Sequence, residues 1–216
     1  MDAYVTEEEQ IERLKNWLRE YGATVLISVI AVIVFSFGWR YWLNHQEMVR
    51  AQASEAYEDM VISMMNNQES FAVIKADYVI KEFPSTPYAK LAAFYLAQQA
   101  VYQHDFIKAG KQLQWVIQHA GSSSVRQIAK IRAARVLLAE GKPQEALNLL
   151  TKTEDKAFIP ATDAVRGDIY LALGNKVKAV QSYETALSAT QRADANTLVL
   201  QMKLADLARV NTNMMA

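Results

Sequence analysis

From Tyr21 to Trp39 the chain reads YGATVLISVIAVIVFSFGW, without one charged side chain. As a helix this stretch is roughly 28 Å long, close to the hydrocarbon thickness of a bilayer. A buried helix of a soluble domain usually carries one apolar stripe. Here Val25, Leu26, Ile27, Val29, Ile30, Val32, Ile33, Val34 and Phe35 cover every face. Ser28 and Ser36 can return their hydroxyls to carbonyls one turn back. The feature therefore predicts a membrane span. Trp17 and Tyr21 on one side, and Trp39, Tyr41 and Trp42 on the other, stand where interfacial aromatics stand, and Arg19 and Arg40 can snorkel to the headgroups.

The segment is expected to remain as an anchor. A cleaved leader needs a short basic start, a shorter apolar core and small residues at the cut. The residues before the span carry six acids against three bases, and FGWRYW offers bulky aromatics where cleavage needs small ones. Three bases (Arg13, Lys15, Arg19) precede the span, and Arg40 and Arg50 follow it, which favours the short arm inside. The absence of cysteine is allowed in either compartment.

After residue 44, 19 bases face 17 acids, so no concentrated basic face calls for nucleic acid. Four prolines and seven glycines leave long tracts of good helix formers, about 12 to 20 residues each. Breakers separate them at EFPSTP, HAGSSS, EGKP, FIP and LGNK. Paired helices joined by such turns predict an αα solenoid.

Aligning Ala109, Ala146 and Ala179 exposes an internal repeat. Twelve residues earlier stand Ala97, Ala134 and Gly167; five earlier stand the turn residues His104, Gly141 and Gly174; four later stand Leu113, Leu150 and Tyr183. Small residues let helix backbones approach, glycine takes the left-handed conformation at a helix end, and the larger residue fills the remaining space. The anchors are 37 and 33 residues apart, around the 34 of tetratricopeptide units. A degenerate unit around Ala72, closed by Pro84, is expected before them, and a lone cap helix after them with Leu200, Lys203, Leu204 and Leu207 near helical spacing. A generic helical bundle explains the helix density but not these offsets.

The expected architecture is all-α. An acidic amphipathic arm occupies 1–20, with Ile11, Leu14, Trp17 and Leu18 at helical spacing and Thr6 with Glu9 as a capping box. A single transmembrane helix occupies 21–42, and a tetratricopeptide-like domain 43–216, with clear units at about 88–120, 125–155 and 160–190 and a cap at 194–210. From Arg40 to Asn67 there is no breaker, so the anchor helix runs on into this domain or breaks briefly near Asn44.

In such a stack the first helix of each pair lines the concave face. That places Leu91, Phe94, Gln98 and Tyr102 there from the first clear unit, Ile128, Ile131, Arg135 and Leu138 from the second, and Asp168 and Leu171 from the third. A groove with an apolar floor and a few polar groups suits a peptide, a helix or an exposed segment of a partner; the alternative is that these residues only pack helix pairs together. Catalytic chemistry is poorly represented. His45, His104 and His119 lack a local carboxylate pattern, no phosphate-binding glycine loop follows a strand, and no cofactor or metal site is legible.

The acidic EEEQIERLKNWLREYG arm, the single span, GWRYWLNHQ at 38–46, ASEAYEDM, LAAFYLAQQ at 91–99 and the closing LVLQMKLADL carry a resemblance over essentially the full length. The chain resembles the YfgM-like ancillary subunits of the bacterial Sec translocon. The resemblance implies a single-pass inner-membrane protein of a Gram-negative bacterium, N-terminus cytoplasmic and domain periplasmic. It implies contact with membrane lipid, with the SecYEG channel and with a PpiD-like periplasmic chaperone, and help in passing secreted and outer-membrane proteins to periplasmic chaperones. It also links the arm to a cytoplasmic response regulator. A solenoid scaffold for another envelope assembly, or a helical envelope enzyme, remain the competing classes.

Overall fold

A computed structural model describes residues 7–153, 155–190 and 195–213, and the chain divides after Ala51 into two compact units. The expected capping box at Thr6 and the first residue of the expected cap, 194, lie outside the described residues. The helices are α1 (Glu7–Met65), α2 (Glu69–Glu82), α3 (Pro87–Tyr102), α4 (Phe106–His119), α5 (Ser123–Ala139) and α6 (Pro143–Leu149). A 3₁₀ turn (Lys156–Phe158) leads to α7 (Ile159–Ala172), α8 (Lys176–Ser188) and α9 (Ala195–Asn213). No strand occurs among the described residues.

The first unit is the leading part of α1. Its most apolar window has a mean hydropathy of 2.2, and none of that window is covered by protein. Ser28 Oγ donates to the Thr24 carbonyl at 2.8 Å, which removes a polar hydroxyl from the apolar surface; Ser36 makes no such bond. Trp17 and Tyr21 lie 6.1 Å apart before the apolar stretch, and Trp39 and Trp42 lie 5.5 Å apart after it. The helix continues through Asn44 without interruption.

In the second unit, short polar side chains start α3, α4, α5 and α8. Thr86 Oγ1 accepts from the Ala89 amide, with Pro87 in the first turn, and Asp105, Ser122 and Asn175 accept from the amides of Lys108, Val125 and Lys178. Each satisfies a donor that a helix N-terminus leaves without an intrahelical partner.

The helix ends explain the repeat. His104, Gly141 and Gly174 all have positive φ, at 58°, 74° and 76°. In each case the next amide reaches back to form the long bond of a Schellman turn: Asp105 to Ala100, Lys142 to Leu137, Asn175 to Tyr170, all at 2.8 Å. The same turn closes α1. Asn67 has φ 55°, and the Gln68 amide donates to the Ser63 carbonyl at 2.9 Å. Asn67 stands five residues before Ala72, as His104 does before Ala109. The end of α1 and α2 therefore form a pair with the same turn as the later ones.

This is the degenerate unit expected around Ala72, and it departs from the small-residue rule because Met60 occupies the position held elsewhere by Ala97, Ala134 and Gly167. The packing reveals a complementation instead. Sixteen residues on, Met60 is matched by Ala76, Ala97 by Leu113, Ala134 by Leu150 and Gly167 by Tyr183. Both members of the first three matches lie in a shared core cluster, and Tyr183 packs directly over Gly167. Close packing constrains the summed volume at each crossing, so a large residue on one helix requires a small one on the other.

The tracts are not all as long as expected. Helix α6 has only seven residues. Arg166 of α7 donates to the carbonyls of Leu150 and Thr151 and, through Nη1, to Asp163 Oδ1 at 2.6 Å. Its positive charge ends the helix by satisfying carbonyls that another turn would have used.

His104 is the one residue among the three aligned turns that is not glycine. Replacing it should stabilise the fold, because a side chain in the left-handed region costs about 1–2 kcal/mol and the extra freedom of glycine in the unfolded chain takes back part of that gain. His104→Gly is expected to raise the urea midpoint of the purified protein, by about 0.5 kcal/mol in stability. A lower midpoint would mean that the edge contact of His104 with Phe106, 6.0 Å between centroids, outweighs the backbone strain.

Candidate functional site

Helices α5 and α7 lie side by side, whereas α3 and α5 both rest on α4 and leave a space between them. Ala97 and Ala100 on α3, and Ala133 on α5, bury themselves against α4 around Ala109 and Leu113. The space above is a cavity of about 400 Å³, within the range of ligand pockets. Leu113 and Val136 are in its floor. Phe94, Gln98, Val101 and Tyr102 form the α3 wall, Phe106 closes the end at the start of α4, and Arg132, Arg135 and Ala139 form the α5 wall.

The polar groups here are few. Gln98 Nε2 donates to the Tyr102 hydroxyl at 3.2 Å. The Arg132 guanidinium lies 4.6 Å from the centroid of Phe94, a cation–π contact that bridges the two walls. Arg135 is exposed, and neither arginine forms an ion pair among the described residues.

Of the residues expected on the groove face, Phe94, Gln98, Tyr102 and Arg135 are brought together in this cavity. Leu91 is exposed on α3, beyond the cavity's end. Ile128 is half-buried on α5 and does not line it. Ile131 lies elsewhere. It is 5% exposed and packs with Ala146, Leu150, Val165 and Ile169 in the core, where Leu138 also packs. Residues 131 and 138 are two turns apart, so they share the face turned to α6 and α7. Arg132, Arg135, Val136 and Ala139 occupy the face turned to α3. The expected set mixed these two faces of one helix, and alanine-rich α5 has too weak an apolar stripe to tell them apart.

Asp168 and Leu171 also lie outside the cavity. Asp168 Oδ1 accepts from the Tyr183 hydroxyl at 2.6 Å and from Lys203 Nζ of α9 at 2.5 Å. Leu171 packs on the cluster holding Tyr183, Leu200 and Leu207. Helix α9 thus takes up the residues that an open third unit would have presented. Burial, with the hydrogen bond to Asp168, holds the Tyr183 phenol protonated far above its ordinary range.

Trp17, Tyr21, Trp39, Arg40, Tyr41 and Trp42, the expected interface anchors, are all exposed on α1 and flank the apolar stretch. His104 sits in its turn, and His119 stacks on Trp115 at 4.2 Å with Nδ1 2.8 Å from the Trp115 carbonyl. Among the described residues no three or more His, Asp or Glu side chains are grouped to hold a metal.

A family model described as a tetratricopeptide repeat-like domain matches residues 15–209, from the amphipathic arm through the span to α9. Over 206 residues the chain is 30% identical to an ancillary SecYEG translocon subunit of Haemophilus influenzae, covering 95% of this chain and all of that protein. The chain belongs to this family. It is 27% identical to the ancillary SecYEG translocon subunit of Escherichia coli, over 96% of this chain and the whole of the relative. A relative of the same description from Aggregatibacter actinomycetemcomitans is 30% identical over 85% of this chain and 90% of its own. No solved structure matches the chain. In this family member the apolar helix and the repeats fall within one matched region, so the anchor is as much a family feature as the solenoid.

Proposed function

We propose that the chain is a non-catalytic ancillary subunit of the SecYEG translocon that helps pass emerging secreted and outer-membrane proteins to periplasmic chaperones. It is a single-pass inner-membrane protein, with its N-terminus in the cytoplasm and its C-terminal domain in the periplasm. The observation that carries the proposal is end-to-end similarity, anchor included, to proteins each described as an ancillary SecYEG translocon subunit. The span and its aromatic borders hold the domain at the bilayer where the channel lies. The repeat domain supplies the protein-binding surface, with a PpiD-like membrane-anchored chaperone as its periplasmic partner. The arm before the span faces the cytoplasm and is the segment available to a response regulator. Phe94, Gln98, Tyr102 and Arg135 are the groove residues through which the domain takes a protein segment.

Photo-cross-linkers placed one at a time at Leu26 in the span and Gln98 in the groove, in the full chain in its native membrane, test this reading. The expected result is a cross-link to the channel from Leu26 and to a periplasmic chaperone or a secreted protein from Gln98. Recovery of neither channel nor chaperone from any position would sink it. Protease added outside the inner membrane should digest the repeat domain and spare the arm; protection of the domain would reverse the topology.

A further inference from the structure

The cavity between α3 and α5 has an electrostatic signature that its repeat origin does not require. Its lining is apolar apart from Gln98, Tyr102 and two arginines, and it contains no acid. Arg132 and Arg135 are three residues apart on α5, so their side chains emerge as neighbours on one face. Elsewhere in the domain Arg166 pairs with Asp163 and Lys203 with Asp168. At the cavity Arg132 lies over the Phe94 ring, both arginines are exposed, and neither forms an ion pair among the described residues.

We infer that this cavity binds a protein segment in which a large apolar side chain is flanked by side-chain carboxylates. This deepens the protein-binding reading above and rests on it. The apolar side chain enters between Phe94, Val101, Phe106 and Leu113, where burial removes it from water. The carboxylates lie over the α5 wall and accept from Arg135 and from Arg132, whose guanidinium already lies over the Phe94 ring and offers a fork of N–H donors to a planar acceptor. A neutral apolar segment would leave the arginines without carboxylate partners, and a basic one would be repelled. The charge of the rim therefore selects an acidic occupant among the many apolar segments that would fill the floor.

The test uses the full chain in nanodiscs of zwitterionic lipid and a fluorescein-labelled peptide with the core Glu-Phe-Leu-Asp. Its companions carry Gln and Asn for the acids, Lys for the acids, or Ser for the two apolar residues. The acidic peptide should bind about tenfold or more tighter than each companion, with affinity falling as salt rises. Arg132→Gln with Arg135→Gln should erase the preference for acid over amide. Both sites are exposed, so helicity should hold. Arg135→Glu should shift preference toward the lysine peptide. Equal binding of acid and amide peptides, or a preference unchanged in both arginine variants, overturns the inference. So does the finding that these variants abolish self-association, or binding to anionic vesicles, instead of peptide binding. If Leu26 still cross-links to the channel while the acidic peptide fails, only this inference falls. If the cross-links fail too, the translocon reading falls with it.

Discussion

Gly167→Ala is expected to cost the repeat domain about 2–3 kcal/mol, despite being a glycine-to-alanine change inside a helix. Alanine normally gains about 1 kcal/mol at such a site. Here a Cβ would stand 2.3 Å from Tyr183 Cε1 and 2.5 Å from Cδ1. The ring has no room to withdraw. Tyr183 is fully buried, and its hydroxyl is tied to Asp168, which also holds Lys203. Either the α7–α8 crossing opens or the ring leaves its rotamer, and overpacking of this kind costs about 1–3 kcal/mol and sometimes more. Urea unfolding followed by circular dichroism would read the loss as a lower midpoint. The size complementation makes a second, sharper demand. Tyr183→Leu alone should also destabilise, by about 2–4 kcal/mol, because it opens a cavity beside Gly167. Combined with Gly167→Ala, it recreates the Ala–Leu match of Ala97 with Leu113 and Ala134 with Leu150, and the double variant should be more stable than the sum of the two losses predicts. Additive losses would show that the four matched crossings do not share one packing rule.

The other large effect is expected at Arg166. Arg166→Gln removes the donors to Leu150 and Thr151 and strands Asp163, which is 8% exposed. A buried carboxylate left without its partner, with two helix-end carbonyls returned to solvent, is expected to cost about 2–4 kcal/mol. Pairing the change with Asp163→Asn should recover part of it, because no charge is then stranded. The local reading is proteolysis. Lys152 and Lys156 lie in the connection that Arg166 holds down, so trypsin should nick Arg166→Gln there sooner than the parent chain. An unchanged cleavage rate would mean that the α6 end is held by the Asp155 contacts instead, its carboxylate accepting from Ser124 Oγ at 2.8 Å and from the Ala157 amide at 3.0 Å.

Much of the architecture was legible because it depends on local, one-dimensional rules. The span announces itself by charge-free length, and the turns by glycine and its substitutes at a constant offset. The first helix pair was harder. Its turn residue is Asn67 rather than glycine, and its size pattern is inverted, Met60 facing Ala76, so the sequence shows it only as a degenerate unit around Ala72. The cavity was half legible. Phe94, Gln98 and Tyr102 recur at four-residue spacing on α3 and share a face by helix geometry alone. On α5 Arg135 is the one facing residue the expected set held; Arg132, Val136 and Ala139 were missed, because nothing in an alanine-rich helix with scattered charges marks that face.

The sequence by itself determined that one segment has no stable place outside a bilayer, that the remainder is paired helices, and where each pair turns. These follow from desolvation, propensity and left-handed backbone, each a property of a residue and its neighbours along the chain. Tertiary structure decided which of two α5 faces looks across to α3, that α9 takes Asp168 and Leu171 out of reach, and that two arginines stand over an apolar cavity without acids. Those outcomes depend on how far neighbouring helix pairs rotate and separate. Volumes at crossings set that rotation, and the residues that meet there are distant in the chain.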